Sequence, residues 1–169
     1  MRLVVVSALL VLAAACDRSQ QLDAARQRRA EAAHDSAFAA VQARGEHAMG
    51  VDQYTSTHLF TPLPDGGRIE LQRDQMDSAG TRQIRQHMNQ IAAAFRSGNF
   101  ALPGFVHGRE VPGIAVMAAK RVAITYTVEV LPRGAALRLR SADPAAVQAI
   151  HEFLAFQRAD HHASAHHGG

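Results

Sequence analysis

The sequence predicts an α+β domain: a mainly antiparallel four-stranded sheet with two helices on one face, built as a duplicated ββα-ββα unit and preceded by a helical stalk. Three observations predict it. Two turns correspond position by position, Leu63-Pro64-Asp65-Gly66 and Leu131-Pro132-Arg133-Gly134, with Pro presetting the turn and Gly supplying the unusual dihedral. Residues Val122, Ile124, Tyr126, Val128 and Val130 alternate with Ala123, Thr125, Thr127 and Glu129, giving a strand with one apolar and one largely polar face. Each hairpin is followed by an apolar stripe at helical spacing: Ile84, Met88, Ile91 and Phe95 in the first half, and Val147, Ile150 and Leu154, with Phe153 beside them, in the second.

Taken in order, the chain opens with Met1-Arg2, an apolar run from Leu3 to Leu12, and Ala13-Ala14-Ala15 before the only cysteine, Cys16. That is the tripartite plan of a secretory signal peptide over residues 1–15, and the run is shorter than the roughly 20 residues a transmembrane helix needs. Leu12-Ala13-Ala14-Ala15-Cys16 resembles the bacterial lipobox, with Ala13 where Leu, Val or Ile is usual. The resemblance implies a lipidated Cys16 and a cell-envelope protein anchored to the membrane and facing the periplasm. Asp17 resembles the retention residue that holds some enteric lipoproteins at the inner membrane.

Residues 16–46 read as a lipid-anchored helical stalk or linker. Their Ala, Gln, Arg and Glu content favours helix to about Gly45, while Leu22, Ala25, Phe38 and Val41 form only a sparse stripe. The α+β domain is expected over residues 47–160. Its first strand pair spans His58 to Leu71 and its first helix Ala79 to Arg96. The second pair spans Ala123 to Leu139, and the second helix runs from Pro144 to Asp160, with Asp143 as its cap and Pro144 in its first turn. Between the halves, residues 98–120 form a long connection broken by Pro103, Gly104, Gly108, Pro112 and Gly113. Residues 161–169 form a His-rich flexible tail.

The segments Met49-Gly50-Val51-Asp52-Gln53, Thr57-His58-Leu59-Phe60, Asp65-Gly66-Gly67 and Phe156-Gln157-Arg158-Ala159-Asp160-His161 together carry a resemblance. They resemble an uncharacterised family of small exported bacterial proteins, whose pattern is close to Met-Gly-Phe-Asp-Gln, Thr-His-His-Phe, an Asp-Gly-Gly hairpin and Phe-Gln-x-x-Asp-His. Val51 replaces the Phe and Leu59 the second His of the pair. The resemblance spans roughly residues 47–161 and implies the domain limits and the exported address. It implies no particular activity.

For chemistry, basic and acidic residues are interleaved and the aromatic residues are scattered, so no nucleic-acid partner is expected. Ten histidines beside one cysteine are the outstanding feature. Neutral imidazole is a common ligand for copper and zinc, so either metal is a candidate cofactor, with His47, His58, His87 and His151 as candidate ligands and Met49, Asp52, Met88 and His107 as additional candidates. Met117 of the connection is a further candidate. His47, Met49, Asp52 and His58 lie in a stretch expected to be non-helical. If Phe60 is buried, His58 shares its strand face, points inward and needs a partner: Asp52, a backbone carbonyl or a metal. Pairing Ile84 with Val147 between the two helices sets His87 against Ile150 and Met88 against His151. A hydrogen-bonded core histidine is the plainer role for each. No Gly-x-Ser-x-Gly elbow, phosphate loop or His-Glu-x-x-His is present, and no acid and base are paired, so no enzyme is expected. The alternative to metal binding is a structural or interaction module with an envelope protein partner, using the sheet face the helices leave open.

Overall fold

The computed structural model describes residues 3–50 and 53–161, with side chains from residue 20 onward except those of Met49 and Gln53. Asp52 and the tail residues 162–169 lie outside the described residues, as do the side chains of Cys16 and Met49. The fold is α+β, a four-stranded antiparallel sheet with five α-helices among the described residues. Two compact units divide it, Met1–Ala39 and Ala40–Gly169.

In the first unit the described backbone belongs to helix α1, Leu3–Met49, which continues into the second. Leu22 is exposed, and the side chains carry local pairs such as Arg26–Asp23 at 3.4 Å. Among the described residues no helix is long and apolar enough to cross a membrane.

The second unit begins with the last turns of α1, where Val41 and Gln42 are buried and Arg44 Nε donates to the Val106 carbonyl at 2.6 Å. The helix runs through Gly45 and ends only at Met49, so His47 and Met49 are helical, against the expectation of an irregular segment there. Val41 has a core to enter at this point, and its burial outweighs the weak helix preference of Gly45.

Strands β1 (Ser56–Leu63) and β2 (Gly66–Arg73) form the first hairpin, and β3 (Thr125–Leu131) and β4 (Gly134–Arg140) the second. The sheet order is β1-β2-β4-β3, with all neighbours antiparallel. At the centre of the sheet Ile69 of β2 stands opposite Leu137 of β4. The turn glycines serve this centre. A Cβ on Gly134 would lie 1.9 Å from the Leu71 carbonyl oxygen, and one on Gly66 would lie 2.3 Å from that of Leu139. Of the two, only Gly66 has a positive φ, at 137°. Gly134 is therefore required by the close approach of β2 and β4, not by an unusual dihedral.

Helix α2 (Ser78–Arg96) starts at Asp77, whose side chain accepts from the backbone of Ala79 and Gly80. Helix α5 (Pro144–Asp160) starts in the same way at Asp143, with Pro144 in the first turn. α2 packs mainly on β3 and β4, and α5 on β1 and β2. Ile84, Met88, Ile91 and Phe95 of α2, and Ile150, Phe153 and Leu154 of α5, meet Phe60, Ile69, Leu71, Tyr126, Leu137 and Leu139 of the sheet in one core. Ala146 and Ala149 line the buried side of α5, and Val147 is only half-buried. Val122 and Val130 do not follow the strand pattern: they are 91% and 71% exposed. Val122 belongs to a short 3₁₀ turn before β3, and Val130 lies next to the hairpin turn.

The long connection is ordered as α3 (Ala101–His107) and α4 (Ile114–Ala119), which with the residues around them send Phe100, Val111 and Met117 into the core. Met117 is thus a packing residue. Both edge strands carry an arginine from the end of a helix: Arg96 of α2 donates to the Tyr126 carbonyl of β3 at 2.5 Å, and Arg158 of α5 to the Phe60 carbonyl of β1 at 2.9 Å.

Candidate functional site

The alternation of β1 sends Phe60 into the core, and His58, two residues earlier, follows it to the same side of the sheet. Helix α2 presents His87 and Met88 one turn before Ile91, both buried. The last turn of α5 presents Gln157, and its C-cap is His161. These side chains meet at a cavity of about 90 Å³, large enough for several waters or one ion with its ligands. Gly45 and Ala48 of α1 and Leu102, Pro103, Val106 and His107 of α3 complete its wall, and Phe60, Ile69, Leu71, Phe95 and Phe153 form its apolar floor.

The rings are in close order. His58 stacks on Phe60 with centroids 5.9 Å apart, and His161 lies 5.3 Å from His58, 5.6 Å from Phe60 and 5.1 Å from His107. Burial, reinforced by the neighbouring rings of His161 and His87, lowers the His58 imidazole to about 3. Burial alone lowers His87 to about 4. Both are neutral near pH 7, the form in which imidazole binds a metal.

His107 is occupied otherwise. Its Nδ1 bonds the Asp160 carboxylate and its Nε2 faces the Gln157 side-chain oxygen at 2.9 Å. Burial pushes the Asp160 carboxyl up, but the hydrogen bond from His107 and the charges of His107 and Arg109 outweigh it, so its pKa lies below the ordinary value. Arg109 also bonds Asp160 and lies over the Phe156 ring at 4.7 Å. His107, Gln157 and Asp160 thus tie α3 to α5 at the rim of the cavity.

Of the candidate ligands, the structure brings His58, His87, Met88 and His107 to one cavity. It does not bring His47 or His151 there. His47 is exposed beside Phe105, and the Nε2 of His151 bonds the Leu63 carbonyl at 2.9 Å. Sequence reading missed two members of the site, Gln157 and His161. Gln157 is buried at i+4 from Phe153, a spacing that signals the inward face of α5, and His161 was grouped with the tail because helix ends are poorly marked in sequence. Among the described residues no group of three or more His, Cys, Asp or Glu side chains is arranged to hold a metal ion.

The opposite face of the sheet is polar. Arg68 pairs with Glu70 and, at 3.3 Å, with Glu129, while Gln72 donates to Glu70 and Arg138 bonds Asp65. Compared with known proteins, the chain matches no protein family, no curated protein and no solved structure.

Proposed function

We propose that this is a cell-envelope lipoprotein, tethered through Cys16, whose domain binds a transition metal ion, copper or zinc, in the cavity between β1, α2 and the end of α5. The observation that carries the reading is that His58, His87 and Met88, from two separate elements, line one half-open, mostly apolar cavity. Imidazole is a donor that copper and zinc accept, and the cavity has room for one ion. The role we propose is binding: the described side chains that line the cavity offer imidazole, thioether and carboxamide groups. The alternative role, an interaction module using the open sheet face, is less well supported because that face consists of internally paired charges instead of an apolar patch.

The domain is further proposed to be a duplicated ββα unit with both helices on one face. The equal turns, the pairing of Ile69 with Leu137 and the like roles of Gly66 and Gly134 support this reading. In this view duplication supplied a symmetric sheet, and the end of the second helix places Gln157 and His161 at a cavity formed mainly by the first half.

The test is a metal titration of the full chain in detergent, with His162, His166 and His167 changed to Ala so that the tail cannot bind. One ion per chain is expected, lost in His58→Ala and His87→Ala while circular dichroism stays unchanged. If the tail-substituted chain binds no copper or zinc, the proposal is wrong.

A further inference from the structure

We propose that residues 101–110, which carry α3, are a strap that opens at the cavity while the rest of the domain stays folded, latched shut by His107 against Gln157 and Asp160. The strap governs the way in, whatever the cavity holds, and so stands apart from the metal reading.

The strap is fixed at both ends and weak between them. Phe100, just before it, is buried and stacks on Phe95 with ring centroids 4.3 Å apart, and Val111, just after it, is 1% exposed. Between these anchors α3 spans only Ala101–His107, with Pro103 and Gly104 at its middle. A helix this short does not stand alone, and Pro and Gly are the two weakest helix formers. Phe100 gives the helix no side-chain cap, although the Asn99 side chain accepts from the Ala101 N–H at 2.9 Å. The first-turn bond, from the Gly104 N–H to the Phe100 carbonyl, is long at 3.5 Å. A Cβ added to Gly104 would meet nothing within 4 Å, so no close contact requires glycine there.

Few tertiary contacts hold this segment. α2 and α5 lie along the sheet, whereas α3 has no extensive contact with any other element. It contributes Leu102, Pro103, Val106 and His107 to the cavity wall. Its polar ties are concentrated in the last turn. Arg44 of α1 donates to the Val106 carbonyl at 2.6 Å. His107, with a side chain 1% exposed, bonds the Asp160 carboxylate through Nδ1 and faces the Gln157 side-chain oxygen through Nε2 at 2.9 Å. Arg109 adds a second bond to Asp160. Beyond the latch Gly108 has a φ of 63°, and Gly108, Arg109 and Glu110 are exposed. Release of His107 frees this end, and with it the wall formed by Leu102, Pro103 and Val106, so that the mouth widens onto the floor of Phe60, Leu71 and Phe95. A segment with few buried contacts opens locally at a free energy below that of global unfolding.

The experiment is native-state hydrogen exchange, read by mass spectrometry on the full chain in detergent at rising low urea. Amides of residues 102–107 are expected to exchange about 100-fold or more faster than the inner amides of α2 and α5, at a rate that barely changes with urea while theirs climbs steeply. Asp160→Asn, which takes the charge from the latch, should speed the strap amides about tenfold, and Gly104→Ala should slow them about fivefold. Access is read with a neutral maleimide on Ile91→Cys, a cavity-lining position, in a Cys16→Ser chain. Its labelling rate should follow the strap through both variants. Strap amides that exchange only together with the inner helices, or an unchanged strap rate in Asp160→Asn, would overturn the latched strap. A labelling rate indifferent to both variants would overturn its role as the way in.

Discussion

Acidification between pH 6.5 and 4.5 should unfold this domain earlier than its carboxylates alone would, and His87 should be the main cause. In the unfolded chain His87 takes up a proton near 6.5, whereas burial in α2 delays that uptake to about 4. A group whose folded pKa is lowered below its unfolded value binds more protons when unfolded. Its stabilising effect is therefore complete above about 6.5 and is lost as pH falls toward 4. The gap between those two values corresponds to about 3 kcal/mol, most of it lost by pH 4.5. His58 acts in the same direction, but it is partly exposed and should add only about 1–2 kcal/mol. Asp65, Asp77, Asp143 and Asp160, all held below their ordinary value, lose their contributions only below about pH 4, so they leave this window clear. The combined loss is a large fraction of a typical domain's 5–15 kcal/mol, roughly. Urea unfolding of metal-free wild type and His87→Leu at pH 7.5, 6.5, 5.5 and 4.5 measures it. Leu cannot charge, so the variant should lose half or more of the wild-type slope. A wild-type stability that is flat across this range, or an unchanged slope in the variant, would refute the reasoning.

Four further outcomes are expected. Tyr126 is buried, and among the described residues its hydroxyl has no hydrogen-bond partner, so Tyr126→Phe should hold or raise stability in urea, by up to about 1 kcal/mol. Gly134→Ala places a Cβ against the Leu71 carbonyl and the backbone of Gln72, which no side-chain rotation relieves; a loss of about 3 kcal/mol or more is expected in thermal unfolding, and Gly66→Ala should be comparably damaging. His151→Ala removes a hydrogen bond to the Leu63 carbonyl and should cost about 1 kcal/mol of stability while metal affinity in the titration stays at the wild-type value. Arg158→Ala frees the Phe60 carbonyl on the β1 edge and should raise the rate of self-association seen by light scattering on warming, with a stability loss of about 1–2 kcal/mol.

The sequence by itself determined most of the elements. Period-two alternation in 122–130, Pro-x-Gly turns and capped apolar stripes are local signals, because each depends on residues within one turn or strand pair of one another. They placed β1 to β4, α2 and α5 to within a few residues. Val122 and Val130 are the instructive misses: alternation shows which face a side chain takes, not whether anything covers it there. α1 past Gly45, and α3 and α4 in the connection, were also hidden, since Gly and Pro weaken local helix signals and the burial of Val41, Val111 and Met117 that supports these segments is tertiary.

For the candidate site the division is sharper. Composition singled out histidine, and strand parity put His58 on the side of Phe60. Nothing local distinguishes His58 and His87, which reach the cavity, from His47 and His151, which do not. That difference depends on the sheet order β1-β2-β4-β3 and on the phase of each helix against it. Only the packed chain carries His161, 103 positions beyond His58 in the sequence, to within 5.3 Å of its ring. Only there, too, do burial and neighbouring rings hold the imidazoles neutral, because desolvation belongs to a surrounding and not to a residue type.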